Sequence, residues 1–378
     1  MKIGILTLPL HVNYGGILQA YALQTVLERM GHEVKVITNP SIKIEISFRH
    51  KLFAYPKRFI LKYLLRRKNT IIFYERCFND SNEMVQKETN QFINKYIHCS
   101  SVSHLSDLKE SHFDAIIVGS DQVWRKVYFT RSKAEPLTNA FLQFAKDWSI
   151  KRVAYAPSFG TEDWEYSEQD TRDCKALIGL FDALSVREQS GVRLCKQYFG
   201  VDAQLVLDPT MLLDATDYIS LVEHSRAPSC KGNMHCYILD RTEEKKQLIE
   251  HIAKERGLSP FFVGADTFNL QIPKQERIQP PVELWLRAFY ESEFIVTDSF
   301  HACVFSILFR KPFVVYGNKE RGMARFHSLL SLFGLEDRLV AGVDDYSHLE
   351  EIDYDTVFKK LNKMRQVSSA FLQNTLNS

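Results

Sequence analysis

The sequence predicts an α/β protein built from two Rossmann-like domains that face each other across a cleft. Three observations carry this prediction. Short runs of strand-forming residues alternate with helix-length amphipathic segments along most of the chain. Residues 2–38 read as strand, glycine pair, helix, strand, the usual start of a parallel sheet. The alternation then resumes after residue 205 with no repeat or long linker, and 378 residues suffice for two domains of ordinary size.

The first domain spans 1–205. "KIGILT" (2–7) is a buried strand, the segment "GGILQAYALQTVLERMGH" is a helix stopped by Gly31, and "EVKVIT" (33–38) is the next strand. Residues 41–112 read as a basic and aromatic insertion. Within it, "RHKLFAYPKRFILKYLLRRK" (49–68) holds eight Lys or Arg residues and no acid. Phe59, Ile60, Tyr63 and Leu64 recur there at helical spacing, so residues 57–68, after Pro56, form a basic amphipathic helix. That helix either packs Phe59 and Tyr63 on the core with its lysines solvated, or makes a peripheral contact with an anionic membrane surface. Strands follow at 113–119, 152–157 and 183–187, the last two separated by a helix at 170–181, and another helix covers 190–199. The second domain, 206–345, offers strands at 233–240, 259–264, 294–299 and 311–317 with helices at 242–256 and 282–291, and 346–378 is a helical tail.

A net charge of +2 argues against a nucleic-acid binder, which would carry a marked basic excess. Seven cysteines without a C-x-x-C pair argue against a disulfide framework or a structural zinc site and favour a reducing cytosol. The N-terminal apolar stretch is broken by Pro9 and His11, unlike a signal peptide, and no window is apolar enough to span a bilayer. A cytoplasmic protein is expected.

In open α/β sheets, ligands bind beyond the carboxyl ends of the strands. Five such ends are unusually polar here: "NYGG" (13–16), "GSDQVW" (119–124), "APSFG" (156–160), "SVRE" (185–188) and "TDSFH" (297–301). Asn13, Gly15 and Gly16 open a helix, where N–H groups favour an anion or sugar hydroxyls, although glycines also serve plain tightness. The turn is not G-x-G-x-x-G, so a nicotinamide or flavin site is disfavoured. Asp121 and Gln122 beside Trp124 suit a saccharide, with the indole covering a ring face; a helix cap with Trp124 in the core is the alternative. Arg187 ends an apolar run, where a guanidinium needs either an anionic ligand or a salt bridge to Asp208 or Asp298. His301 titrates near neutrality at a strand end beside Asp298 and Ser299, which suits proton transfer, with Asp298 or a backbone carbonyl orienting the ring. His301 and Cys303 lack the further ligands a metal would need. In the loop after "KPFVVYG", Arg325 is a better ligand candidate than Lys319 or Arg321.

These residues bring a resemblance with them. From "MKIGILTLPLHVNYGGILQAYALQ" through "GSDQVW", "YAPSFG", "LSVREQSG", "VLDPTMLL" and "VTDSFHACVFSILFRKPFVV" to "NKERGMARFHSLLSLFGLEDR", the chain resembles the polysaccharide pyruvyl transferase family over residues 1–345. The resemblance implies a GT-B-like fold and transfer of a pyruvyl group from phosphoenolpyruvate to two hydroxyls of a sugar. It implies no metal and no redox cofactor. The acceptor is then a sugar or lipid-linked oligosaccharide of capsule, exopolysaccharide or cell-wall glycan assembly; if it is lipid-linked, residues 57–68 would hold the protein at the inner membrane face. His301 corresponds to the family's general acid/base histidine, with Asp298 beside it. Arg187, Ser299 and Arg325 are donor-binding candidates; Asn13, Gly15, Gly16, Asp121, Gln122 and Ser158 are acceptor-binding candidates. Two departures stand out: Phe300 occupies a position where some members carry arginine, and the N-terminal turn lacks the acid of an N-G-D type turn. A nucleotide-sugar glycosyltransferase and a non-catalytic glycan-binding relative are the alternatives.

Overall fold

The computed structural model describes residues 1–38, 44, 46–133, 135–317, 323–346 and 349–377. Lys319 and Arg321 therefore lie outside the described residues.

Two parallel sheets organise the chain. The first holds β1 (Lys2–Leu6), β2 (Glu33–Thr38), β3 (Cys99–Ser101), β4 (Ala115–Val118), β5 (Lys151–Ala154), β6 (Ala183–Val186) and β7 (Gln204–Leu205), in the order β3-β2-β1-β4-β5-β6-β7. The second holds β8 (Met234–Tyr237), β9 (Pro260–Phe261), β10 (Phe294–Thr297), β11 (Phe313–Tyr316) and β12 (Leu339–Val340), in the order β12-β11-β10-β8-β9. All pairings are parallel. Strands such as β4, "AIIV", and β10, "FIVT", are buried throughout because helices cover both faces of a parallel sheet. Strand order reverses between β1 and β4 in one sheet and between β8 and β10 in the other. Such reversals open crevices at the strand ends.

Helix α1 (Tyr14–Arg29) follows β1 and ends as expected, with Gly31 at φ +90 just beyond it. The segment expected to be an insertion is only partly one. After α2 (Phe48–Tyr63) and α3 (Tyr74–Val85), α4 (Lys87–Tyr96) buries Phe92 and Ile93 and leads into β3, the edge strand of the first sheet. The basic helix also differs from expectation. It starts at Phe48, not after Pro56, and carries Pro56 in its interior, ending at Tyr63. None of its residues is buried, so the reading that packs Phe59 and Tyr63 on the core is overturned. The expected strand at 259–264 shortens to the two residues of β9, and the chain beyond it turns into a loop.

The two halves are tied by specific contacts. Tyr14, at the start of α1, stacks on Trp285 with centroids 5.3 Å apart and donates its hydroxyl to the Pro280 carbonyl at 2.8 Å. Gln279 donates to the Val12 carbonyl at 2.9 Å. One continuous apolar cluster runs from Ile3 and Tyr14 to Trp285, Phe305 and Leu372. The tail helix, Tyr354–Asn377, crosses back onto the first half: Ser368 Oγ accepts from the Leu207 N–H at 3.0 Å and Lys151 Nζ donates to the Thr375 carbonyl at 2.8 Å. Among the described residues, no helix is long and apolar enough to cross a membrane.

Candidate active site

A cavity of about 600 Å³ opens where the two strand reversals face each other. Val12 and Asn13 reach it from the end of β1, Asp121 and Gln122 from β4, Tyr237 and Leu239 from β8, and Asp298, Ser299 and His301 from β10. All four strand ends therefore converge, as the crevice rule requires of a ligand site. Arg325 lines it from the helix Ala324–Phe333.

His301 sits in the first turn of the helix Phe300–Leu308, every residue of which is buried. A helix apolar on all sides is a core helix, and here it is clamped between the second sheet and the first domain. Gly15 shows how close the approach is: a Cβ at that position would lie 2.0 Å from His301 Nδ1. The glycine of the "NYGG" turn is thus required by the imidazole, a role that its sequence context does not reveal. His301 Nε2 has no hydrogen-bond partner among the described residues, and its nearest carboxylate oxygen is Asp208 Oδ2 at 3.7 Å. Burial lowers the His301 pKa, Asp208 and Asp121 counteract this, and Arg187 and Arg325 add to the lowering. The ring therefore rests neutral at neutral pH, ready to accept a proton.

Asp298 does not orient the ring. Its carboxylate accepts from the N–H groups of Leu239 and Asp240 at 2.7 and 3.0 Å and pairs with Lys245 Nζ at 2.7 Å. It braces the end of β8 against β10 instead, because its side chain faces along the sheet while the ring faces the first domain. Asp208 takes the place near His301. It is held by the Ser120 hydroxyl at 2.9 Å and by the Thr210 N–H and hydroxyl at 3.1 and 2.7 Å. Burial raises its pKa, but the neighbouring His301 and Arg187 and the two Thr210 bonds outweigh this and keep it below the usual range.

Arg187 joins the same cluster, since Asp208 Oδ2 is 2.6 Å from its Nη1. Glu188 and Asp121 stand 3.2 and 3.4 Å away, and the ring of Phe300 covers the guanidinium at 4.6 Å. Arg187 does not line the cavity. Of the salt bridges expected for it, the one to Asp208 forms and the one to Asp298 does not. Arg325 also stands against Phe300, 5.6 Å from its centroid, and burial together with Arg187 pushes its pKa down to about 10. A cation so disfavoured gains from an anion brought beside it.

The remaining candidates divide. Asn13, Asp121, Gln122 and Ser299 line the cavity; Asp121 does so at φ +69, a left-handed conformation that costs an L-residue strain and is tolerated best by Asn and Asp. Gly15 and Gly16 lie behind the lining. Ser158 is removed from it: fully buried, it donates to Glu188 Oε1 at 2.5 Å and accepts from the Gly160 N–H. Trp124 is also core, stacked on Phe141 at 5.0 Å with its N–H on the Ala140 carbonyl, so it covers no sugar. The lining also includes Arg241, Phe262, Asp266 and Phe268, which sequence reasoning did not single out because they lie in loops without periodicity. Among the described residues, no group of His, Cys, Asp and Glu is placed to hold a metal ion.

Comparison with known proteins adds a family and a fold. The family model for polysaccharide pyruvyl transferase matches residues 13–320. Among solved structures, S. aureus MnaA in complex with UDP shares the fold at a TM-score of 0.50 and 11% identity, with 100% of this chain and 97% of that one covered. UDP-GlcNAc 2-epimerase from Neisseria meningitidis, bound to UDP-GlcNAc, aligns at 0.48 and 11%, covering 100% and 99%. At 11% identity the likeness to MnaA establishes the fold alone, a GT-B-like pair of Rossmann-like domains. No curated protein matches the sequence.

Proposed function

Because the chain belongs to the polysaccharide pyruvyl transferase family, we propose that it transfers a pyruvyl group from phosphoenolpyruvate to two hydroxyls of one sugar. The product is a cyclic pyruvate ketal, made in capsule, exopolysaccharide or cell-wall glycan assembly. The observation that carries this reading is the buried, neutral imidazole of His301 facing a cavity that also presents the Arg325 guanidinium.

In the reaction, the methylene carbon of the donor gains a proton, which makes C2 electrophilic. One sugar hydroxyl adds to C2 in the same step, and the proton it gives up passes through the neutral ring to the methylene carbon. Phosphate leaves with the C2–O electron pair, and the second hydroxyl closes the ketal, its proton ending on the departing phosphate. Protons taken and given balance, and no electrons are transferred to another molecule, so the scheme calls for no redox cofactor. His301 is the general acid/base, accepting the hydroxyl proton and delivering one to carbon. Arg325 and Arg241, both in the cavity lining, hold the phosphate and carboxylate, which supplies the cation that Phe300 does not. Arg187 acts from behind the wall: it fixes Asp208 and Asp121, and through them the charge around His301. Ser299, Asn13, Asp121 and Gln122 are left to orient donor and acceptor oxygens. Much of the acceleration then comes from positioning and fixed charge. The donor is a cytosolic metabolite, so the reaction belongs in the cytoplasm.

The test is phosphate release from phosphoenolpyruvate in the presence of free and lipid-linked sugars. His301→Ala is expected to lower turnover by about 10²-fold or more. Stabilisation by a nucleotide sugar and not by phosphoenolpyruvate in thermal melting would instead favour a glycosyltransferase.

A further inference from the structure

The polarity of α2 is inverted. Its half-buried residues, Ala54, Tyr55, Arg58, Leu61 and Lys62, face the protein, and Arg58 is fixed there by paired bonds of 2.8 and 2.7 Å to Glu75. Apart from Tyr55 and Leu61, its large apolar residues face away: Phe48 is 74% exposed, Phe53 78%, and Leu64, just past the helix end, 70%. Leu52, Phe59 and Tyr63 share that outward side. A helix folding against its own core would do the reverse.

The charge around this face has one sign. Eight Lys or Arg residues and no acid fall from Arg49 to Lys68, with Arg66, Arg67 and Lys68 exposed at the end of the segment. Aromatic and leucine side chains interleaved with lysines suit an anionic lipid surface: the rings and leucines enter the headgroup boundary, and the cations meet lipid phosphates.

The face is also joined to the cavity. Tyr55 packs on Phe73 at 5.0 Å, and α3 carries Glu75 and then Phe78, which stacks on Phe268 at 6.3 Å and 8°. Phe268 lines the cavity. Asn69, shortly after α2, accepts from Gln271 at 2.8 Å, and Ser81 of α3 accepts from Arg277 at 3.1 Å. Helices α2 and α3 are thus fastened to the 266–279 loop that walls the cavity.

We propose that α2 docks the protein on an anionic membrane surface and holds the cavity mouth toward saccharides anchored in that membrane. The second part rests on the pyruvyl transfer reading; the first does not.

The test is flotation of the full-length protein with vesicles of phosphatidylcholine alone or with added phosphatidylglycerol, in the absence of donor and acceptor. Binding is expected only to the anionic vesicles and is expected to weaken with salt. The combined Arg66→Glu, Arg67→Glu and Lys68→Glu variant should lose on the order of 100-fold in partitioning, at about 5-fold per cation. Phe53→Ser with Leu64→Ser should also lose binding, while both variants melt like the parent. Parent protein that stays free of anionic vesicles, or variants that bind as the parent does, would overturn the docking. So would a dimer, in sedimentation, that Phe53→Ser dissolves, since the face would then serve a second copy of the chain. With vesicle-embedded acceptors the same variants should lose turnover, and with a soluble acceptor they should keep it. Failure of turnover with both acceptors refutes the transfer reading and leaves the flotation result standing.

Discussion

Gly15 and His301 lie far apart in sequence, yet the space of one methyl group links them. A Cβ on residue 15 would meet the imidazole at 2.0 Å, so Gly15→Ala must displace either the ring or the start of α1. Overpacking of this kind costs about 1–3 kcal/mol. The cost should shrink when His301→Ala removes the obstacle, and a double-mutant cycle on denaturant melts reads this directly. Additive losses would mean that the glycine serves the backbone and not the ring. Arg187 makes a second residue-scale case. Its guanidinium pairs with Asp208, Glu188 and Asp121 in a buried cluster, and burial already raises the Glu188 pKa. Arg187→Met leaves those carboxylates uncompensated and is expected to cost about 3–5 kcal/mol of stability without any ligand present. An arginine kept only for substrate would show no such loss.

Two carboxylates at neighbouring structural elements have exchanged the parts their sequence neighbourhoods suggest. Asp298, at the end of β10, braces β8 through Leu239, Asp240 and Lys245; Asp208, after β7, faces His301 and favours its protonated form. The pH profile of kcat/KM separates them. His301 acts as a base when neutral, so the rate should rise with pH through the ring's lowered pKa and level off above it. Asp208→Asn removes a charge that raises that pKa, so the rising limb should move to lower pH. Asp298→Asn should cost stability, because Lys245 loses its partner, while the limb stays in place. A limb moved by Asp298→Asn and not by Asp208→Asn would reverse the assignment.

At the scale of the whole molecule, the two sheets do not behave as beads on a string. Tyr14, Trp285 and the returning tail helix draw residues from both halves into one apolar cluster, and the cavity lies across the join. Calorimetric unfolding is therefore expected as one cooperative transition, despite the two-sheet architecture. A saturating ligand in the cleft should raise that single transition; at about 100 times its Kd the gain is about 2.7 kcal/mol. Two resolved transitions, with only one of them moved by ligand, would mean that the halves unfold independently.

Much of this was legible in the chain alone. Alternating strand and helix runs determined two parallel sheets, because periodicity reports which side of an element is buried. The polar strand ends pointed to a shared crevice, and His301, Arg325, Asn13, Asp121 and Gln122 line one cavity. What the local pattern could not decide was which groups face each other across the cleft. Asp208 in place of Asp298, Arg187 behind Phe300, Ser158 turned onto Glu188 and Trp124 in the core all depend on directions fixed by packing between distant segments. The outward apolar face of α2 belongs with these, since a helical pattern gives the angle between residues and not the side on which the rest of the protein lies.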